Sequence, residues 1–215
     1  MVGKPVAFIP GDKYPSISIT GFSCSLNCKY CMGRYLYGMI PAPTPEKLYT
    51  VIKQLYLENR VNGVLISGGF TRNGYLPVEN HLPVIKRIKN EIDLTLSIHP
   101  GFINIELMNG LRESGVDIVD YEFILDDYIL RELKNLDITS RQVIEHYEEI
   151  LTHGPNHVVP HIPIGFTSDD SWIYRSIDTL TSYNPEIVVF LISMDADASI
   201  RDRVVKMFKY ARTRL

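Results

Sequence analysis

Short runs of apolar, mostly β-branched residues alternate along the chain with longer segments in which apolar residues recur every three or four positions. The short runs predict buried strands and the longer segments predict amphipathic helices. The predicted strands cover residues 16–20, 64–67, 94–98, 118–123, 158–164 and 187–192. The predicted helices cover residues 45–59, 82–91, 103–114, 140–153, 171–182 and 200–213. The sequence therefore predicts about six βα units.

Strands separated by helices of this length favour a parallel sheet. Right-handed crossovers then either curl the units into a barrel or wind them about an open sheet. A complete eight-unit barrel typically needs ~250 residues, whereas this chain has 215. We expect one α/β domain over residues 1–215, a partial (β/α)6 TIM-like barrel. The alternative is a doubly wound sheet, for which a glycine-rich phosphate loop is expected after the first strand.

Composition narrows the function classes. Hydrophobic residues make up 45% of the chain and charged residues 22%, with a net charge of −3, so no global basic field favours nucleic acid. No apolar run approaches the length of a membrane span, and the first five residues lack the apolar core of a signal peptide. We expect a cytoplasmic protein without nucleic-acid or membrane partners, in a reducing compartment that suits free thiols.

The only three cysteines of the chain, Cys24, Cys28 and Cys31, fall within eight positions. Three thiolates this close can hold three irons of a [4Fe–4S] cube and leave the fourth iron open. The alternatives fit less well. A disulfide would leave one thiol over, a structural zinc site usually takes four ligands in separated pairs, and inert core cysteines do not suit a polar loop.

The C-x3-C-x2-C stretch directly after a predicted strand resembles the radical S-adenosylmethionine (SAM) superfamily. The resemblance implies that Cys24, Cys28 and Cys31 bind a [4Fe–4S] cluster whose open iron chelates the amino and carboxylate groups of SAM. The reduced cluster of that family cleaves SAM to a 5′-deoxyadenosyl radical, so an external electron donor is also implied. A partial barrel with the cysteines after the first strand is the fold of the family.

Active sites of parallel barrels lie at the C-terminal ends of the strands, so the residues that follow each strand are the candidates for SAM contacts. The resemblance implies that Tyr30 lies near the adenine. It also implies that the Ser67-Gly68-Gly69 turn meets the SAM amino group, because glycines let a backbone approach a ligand closely. Phe70 stands where the family has an acidic residue, so this contact is expected from backbone carbonyls or from Ser67.

Three later strand ends complete the candidate site. His99 is the catalytic candidate, in contact with the SAM ribose or the substrate or as a proton relay, and a structural role is its alternative. The resemblance implies that Glu122 binds the ribose hydroxyls, with two aspartates of the following loop as weaker candidates. It also implies that Ile164-Gly165 packs on the adenine. Two arginines are further candidates for the SAM carboxylate: Arg131 and Arg141.

Several segments resemble the biotin synthase-like branch, in particular archaeal homologues that include a group linked to lipoate synthesis with two radical SAM subunits. These are the Ser-Gly-Gly turn, the His-Pro-Gly at residues 99–101, and residues 158–166 followed by 184–194. The resemblance implies hydrogen abstraction from an unactivated C–H bond of a small-molecule or acyl-carrier-bound substrate, within a sulfur-insertion pathway. Three cysteines leave no thiolate set for a second, sulfur-donating cluster, so either a partner supplies the sulfur or the reaction is another hydrogen abstraction.

Two other functional classes remain open at this point. One is an activase that abstracts hydrogen from a partner protein. The other is a non-enzymatic module that binds an iron–sulfur cluster or zinc.

The last predicted helix combines an apolar stripe with a strongly basic face. The stripe, expected to pack on the barrel, consists of Ile200, Val204, Phe208, Ala211 and Leu215. The basic residues are Arg201, Arg203, Lys206, Lys209, Arg212 and Arg214. A solvated face whose cations favour the helix dipole is one interpretation. The other is a docking surface for an acidic carrier protein or a second subunit.

Overall fold

The computed structural model describes Val6, residues 13–193 and residues 200–215. The first five residues, on which the expectation about a signal peptide falls, lie outside the described part. None of the described helices is long and apolar enough to cross a membrane.

Seven strands of the described residues form one sheet in which every neighbouring pair is parallel. The strands are β1 (Ser16–Ser18), β2 (Ile40–Pro41), β3 (Gly63–Ser67), β4 (Thr95–Ile98), β5 (Ile118–Glu122), β6 (His157–Ile164) and β7 (Val189–Ile192). Their order is β2-β1-β3-β4-β5-β6-β7, and the terminal strands β2 and β7 do not pair in this part of the chain. The α/β fold is therefore an open, partial TIM-like barrel, as the sequence predicts.

A helix follows six of the seven strands. The helices are α1 (Pro45–Leu57), α2 (Leu82–Glu91), α3 (Ile105–Glu113), α4 (Ser140–His153), α5 (Ser171–Leu180) and α6 (Ile200–Ala211). Short polar side chains define where several of them begin. Thr139 and Gln142 form a capping box at the start of α4, and the Asn104 side chain accepts a hydrogen bond from Leu107 N (2.9 Å) at the start of α3.

The strand β6 keeps two prolines in a position between β5 and β7, although proline is usually confined to edge strands. Pro160 lies opposite Tyr121 of β5, and Pro163 lies opposite Leu191 of β7. A proline has no backbone N–H to donate, but the carbonyls of the strand can still accept hydrogen bonds from a neighbouring strand. The His161 carbonyl accepts from Phe123 N (2.8 Å), so β6 still pairs on both sides.

The helices cover an apolar core on the convex side of the sheet, and the concave side carries polar residues. In β5 the buried Val119 and Tyr121 alternate with Asp120 and Glu122. The Tyr121 hydroxyl donates to the Val143 carbonyl of α4 (3.0 Å), which identifies its side of the strand as the helix-facing one. Asp120 and Glu122 therefore face the interior of the partial barrel, because side chains alternate along a strand.

Two expectations about the last helix are wrong. Leu215 is exposed, because α6 ends at Ala211 and Leu215 lies beyond the helical register. Met207 takes the buried place instead. Arg203 does not belong to an outward basic face, since its guanidinium binds the Asp170 carboxylate and donates to the Thr167 carbonyl (2.7 Å).

Candidate active site

The three cysteines lie in the loop between β1 and a short 3-10 helix, Arg34–Gly38. All three are free thiols; Cys28 is buried, and Cys24 and Cys31 are half-buried. Backbone bonds fix the loop on the end of β3: Ser25 N and Leu26 N both donate to the Phe70 carbonyl (2.8 and 3.1 Å). The thiols pack in one small apolar cluster that also contains Leu26, Tyr30, Phe70, Phe102, Leu136 and Ile138.

The interaction between the Cys28 and Cys31 thiols is the main reason that the pKa of Cys31 is lowered, to about 6, and that the pKa of Cys28 is raised. The nearby Lys134 ammonium favours the thiolate at both positions, but the pKa of Cys28 stays above its ordinary value. Metals bind thiolate rather than thiol, so the local electrostatics suit a metal-binding loop.

Within residues 13–193 and 200–215, no three His, Cys, Asp or Glu side chains are arranged as ligands of one metal ion. A [4Fe–4S] cube makes a different demand on its ligands, because each thiolate binds a different iron. Three thiols in one loop therefore fit a cube with one iron left for a ligand from outside the protein.

A segment after β5, residues 132–136, holds the cysteine loop and is called the clamp below. Its backbone contacts are Lys29 N to the Leu133 carbonyl (2.8 Å) and the Cys28 thiol to the Lys134 carbonyl (3.6 Å). Asn135 Nδ2 donates to the carbonyls of both Leu26 (3.1 Å) and Asn27 (2.7 Å). One turn of π-helix, Ile129–Leu133, leads into the clamp, and π-turns are frequent at functional sites.

The clamp also contributes a buried charge that the sequence analysis missed. Lys134 is 3% exposed, and its ammonium binds the Glu122 carboxylate and donates to the Tyr30 hydroxyl (3.4 Å). Burial, the largest single effect, would raise the pKa of Glu122, but Lys134 together with His99 and His161 outweighs it, so that pKa lies below its ordinary value. The Leu-Lys-Asn-Leu run at residues 133–136 has no periodicity that would mark its lysine as buried.

Two segments that the family resemblance places near the adenine of SAM are in contact with each other. The Tyr30 ring stacks on Phe166 with 4.4 Å between centroids, and Phe166 directly follows Ile164 and Gly165 at the end of β6. Ile164 is fully buried, while Gly165 has a positive φ of 97°. Burial is the main reason that the pKa of Tyr30 is raised, so its hydroxyl remains protonated beside Lys134.

The glycine turn after β3 packs against the cysteine loop. Gly69 N donates to Thr20 Oγ1 (2.6 Å), and a Cβ added at Gly69 would collide with the backbone of Ser23 and Cys24. Ser67 is buried, and its carbonyl accepts from Ile19 N (2.9 Å). A glycine at position 69 is therefore required by the cysteine loop itself, whatever else approaches the turn.

His99 and two further polar side chains line the concave side of the sheet. The His99 ring lies edge-on to Phe70 at 5.1 Å, and burial lowers its pKa. His161 of β6 lies opposite Glu122 in the register, and its Nε2 is 3.4 Å from Asp120 Oδ1. Arg131 and Arg141 are at the surface, paired with Asp137 and Glu145 respectively. Lys134 takes the interior position considered for these arginines.

The chain matches the family model described as the Radical SAM superfamily over residues 18–180. The chain belongs to the radical SAM superfamily. Members of this superfamily use a [4Fe–4S] cluster and SAM, which agrees with the donor set of the cysteine loop. A search of curated proteins returned no match.

Several solved structures have the same fold. Methylornithine synthase (PylB) aligns with a TM-score of 0.67 and 16% identity, over 93% of this chain and 63% of its own. SuiB of Streptococcus suis aligns with a TM-score of 0.67 and 15% identity, over 92% of this chain and 45% of its own. HydG, a maturase of the [FeFe]-hydrogenase, aligns with a TM-score of 0.67 and 12% identity, over 93% of this chain and 50% of its own. The chain thus spans only 45–63% of these proteins' lengths.

Proposed function

We propose that this chain is a radical SAM enzyme that takes a hydrogen atom from an unactivated C–H bond. In this proposal Cys24, Cys28 and Cys31 hold the [4Fe–4S] cluster. The observation that carries the proposal is the position of these thiols at the C-terminal mouth of a parallel partial barrel, next to a buried Lys134–Glu122 pair. With SAM bound, such a cluster supplies a carbon-centred radical that is strong enough for this abstraction.

The chain's own residues bind and orient SAM. We propose that the carbonyls of Gly68 and Gly69, or the Ser67 hydroxyl, receive its amino group. The Lys134 ammonium offers a counter-charge for its carboxylate. Glu122 still accepts hydrogen bonds from the ribose, because a carboxylate has about four acceptor sites and Lys134 uses only part of them. The contact between Tyr30 and the segment after Ile164-Gly165 supports an adenine site at this edge.

His99 is proposed to act on the ribose or the substrate from the concave side of the sheet. Its lowered pKa keeps the imidazole neutral near pH 7, so one ring nitrogen donates and the other accepts. Asp120 and His161 form a second polar pair on the same side. These groups favour a substrate with polar atoms near the C–H bond that reacts, while Phe70 and Phe102 keep water away from the thiols.

We propose a place in a sulfur-insertion pathway of the biotin or lipoyl type, on the basis of the sequence segments that resemble that branch. The chain has three cysteines, which leaves no thiolate set for a second cluster, so a partner subunit is proposed to supply sulfur. The substrate would be a small molecule or an acyl chain on a carrier protein. The open sheet between β2 and β7 supports access for a large substrate. Free thiols suit a cytoplasmic location.

The basic surface of α6 supports recognition of an acidic carrier protein or a second subunit. With Arg203 engaged inside the fold, the exposed cations of this surface are Arg201, Lys206, Lys209, Arg212 and Arg214, of which Arg214 pairs with Asp178. Attraction between opposite charges mainly accelerates encounter and weakens with salt. Reversal of Lys206 and Lys209 to Glu tests this role, whereas Arg203 is unsuitable because its loss would disturb the fold.

An activase that abstracts hydrogen from a partner protein is the second candidate. The observation in its favour is the exposed edge strand β7, where Leu191 and Ile192 are open to contact. An activase would leave a stable radical on the partner polypeptide. A small-molecule enzyme would leave none.

The experiment that tests the proposed function is SAM cleavage by anaerobically reconstituted protein with dithionite as the reductant. We expect 5′-deoxyadenosine from the wild type and none from Cys28→Ala, which removes one of three protein bonds to the cube. Candidate acyl substrates and acyl-carrier proteins should accelerate its formation. Bound iron or zinc without any deoxyadenosine would instead support a non-enzymatic module.

A further inference from the structure

Among the described residues, a buried ion pair and an exposed ion pair both lie beside Cys28. The buried pair is Lys134–Glu122, whose side chains are 4% and 16% exposed. The exposed pair is Lys29–Glu132 (3.2 Å), whose side chains are 59% and 57% exposed. Lys29 directly follows Cys28 in the sequence, and the Lys134 carbonyl is 3.6 Å from the Cys28 Sγ. The chain thus offers two cations near one thiol that differ in their access to water.

The buried ammonium is fixed in its place by partners on two sides. Its Nζ donates to the Tyr30 hydroxyl (3.4 Å) and lies 5.8 Å from the centre of the Tyr30 ring. Tyr30 stands between Cys28 and Cys31 in the loop. Glu122 binds the same ammonium from the interior of the barrel. The positive charge of Lys134 is therefore held beside the thiols, whereas the charge of an exposed lysine can move into solvent.

The two charges of the buried pair act on the thiols with opposite signs. After the interaction between the thiols themselves, which is the largest effect on both, the Lys134 ammonium lowers the pKa of Cys28 and of Cys31. The Glu122 carboxylate raises both pKa values, but by less than the ammonium lowers them. Toward the thiols, the pair therefore acts as a net positive charge.

We infer that Lys134 makes the proposed cluster easier to reduce and that Glu122 limits this effect. The inference rests on the proposed function. The reduction potential of an iron–sulfur cluster depends on net charge, on hydrogen bonds to its sulfurs and on solvent exposure. A fixed positive charge stabilises the state that carries one more electron, and burial protects that interaction from screening by water and salt.

The step concerned is the transfer of one electron from an external one-electron donor to the cluster. The donor is oxidised by one electron and the cluster is reduced by one electron, without any bond made or broken and without a proton transferred. Lys134 neither carries the electron nor binds the donor in this role. It acts only through its charge, so its effect is measured as a potential.

The test is an anaerobic redox titration of the reconstituted protein with mediator dyes, followed by the electron paramagnetic resonance signal of the reduced cluster. SAM is left out, so that its carboxylate cannot compete for the ammonium. Glu122→Gln keeps the shape of the side chain and leaves Lys134 uncompensated. At a fixed solution potential, its ratio of reduced to oxidised cluster should be about tenfold higher than in the wild type, a shift of ~59 mV for one electron. Lys134→Met should shift the ratio in the opposite direction by a similar factor.

Lys29→Met and Glu132→Gln are the matched controls, since they remove the same charges from the exposed pair. Both should titrate like the wild type, because water and salt screen exposed charges. The double variant Lys134→Met with Glu122→Leu keeps the test decisive if Lys134→Met alone does not fold. It should be harder to reduce than the wild type, because the net positive effect of the pair is lost.

The sign of the shifts separates charge from structure, since a loosened clamp gives no reason for the shift to reverse with the charge that is removed. Wild-type potentials in Glu122→Gln and in the double variant would overturn the inference while the proposed function still holds. Shifts of the same sign in Glu122→Gln and Lys134→Met would overturn it as well, and so would equal shifts in the exposed-pair controls. Wild-type protein that assembles no redox-active cluster would contradict the proposed function itself.

Discussion

Lys134 and Glu122 form a buried ion pair at the point where the clamp meets the interior of the barrel. Each partner compensates a charge that would otherwise be buried alone. Lys134→Met should therefore lower the free energy of unfolding by about 3–5 kcal/mol, measured by urea denaturation of the cluster-free protein at pH 7. The double variant Lys134→Met with Glu122→Leu removes both charges and should regain most of this loss. A single variant as stable as the wild type would show that the pair contributes nothing to the fold.

His81 is a buried histidine, and neither of its ring nitrogens has a hydrogen-bond partner among the described residues. Burial lowers its pKa, whereas the unfolded chain has the ordinary value of about 6.5. Below that pH the unfolded state binds more protons than the folded state, so stability falls as the pH falls through this region. The free energy of unfolding should be lower at pH 5.5 than at pH 7.5.

The variant His81→Leu isolates this contribution. It removes two unsatisfied ring nitrogens, and the loss of stability between pH 7.5 and pH 5.5 should shrink. Part of the loss should remain, because His99 and His146 also have pKa values lowered by burial. His157→Leu, a change at an exposed histidine, serves as the control. Equal pH dependence in His81→Leu and the wild type would contradict the assignment.

At the scale of single residues, the spacing of the cysteines and the positions of residues after the strands predicted several members of the candidate site. Three cysteines within eight positions indicated a cluster loop, and the residues after each strand indicated Tyr30, His99 and Glu122. The roles of these residues toward SAM remain predictions. The buried state of Lys134 was not predictable, because it depends on a clamp whose contacts with the cysteine loop join residues about 105 positions apart.

At the scale of elements, the clamp fixes the geometry of the cysteine loop. Asn135 donates to two carbonyls of that loop and itself has a φ of 56°. Asn135→Gly keeps this backbone conformation accessible and removes both bonds. We expect a several-fold faster loss of cluster absorbance in the presence of an iron chelator, since a net hydrogen bond contributes about 0.5–1.5 kcal/mol. Asn59→Gly, also at positive φ (52°), is the matched control. Equal rates in both variants would refute the positioning role of Asn135.

Elements with strong periodicity were predicted better than irregular ones. The bounds of α2 and α4 agree with the sequence prediction, because each has a clear apolar stripe and a defined start. The strand β2 has two residues, which is too short for any periodicity, and the π-turn before the clamp departs from the helical repeat. Both lie beside the candidate site. The parts that the sequence misses are thus the irregular segments that hold the cysteine loop.

At the scale of the whole molecule, the alternation of strands and helices predicted a parallel sheet, and the chain length and the cysteine loop favoured a partial barrel over a doubly wound sheet. The open edge and the exposed basic surface of α6 follow from how the elements pack. Leu215 and Arg203 show what the pattern of apolar and charged residues could not predict. Leu215 is exposed because α6 ends before it, and Arg203 is withdrawn from the basic face because it pairs with Asp170.

The proposed function depends on Cys24, Cys28 and Cys31 holding one [4Fe–4S] cluster with an iron to which SAM binds. The most direct test is the electron paramagnetic resonance spectrum of the anaerobically reduced protein before and after SAM is added. We expect the signal of a reduced [4Fe–4S] cluster that changes when SAM binds, and the loss of this signal in Cys28→Ala. A full signal in Cys28→Ala, or a wild-type signal that SAM leaves unchanged, would contradict it.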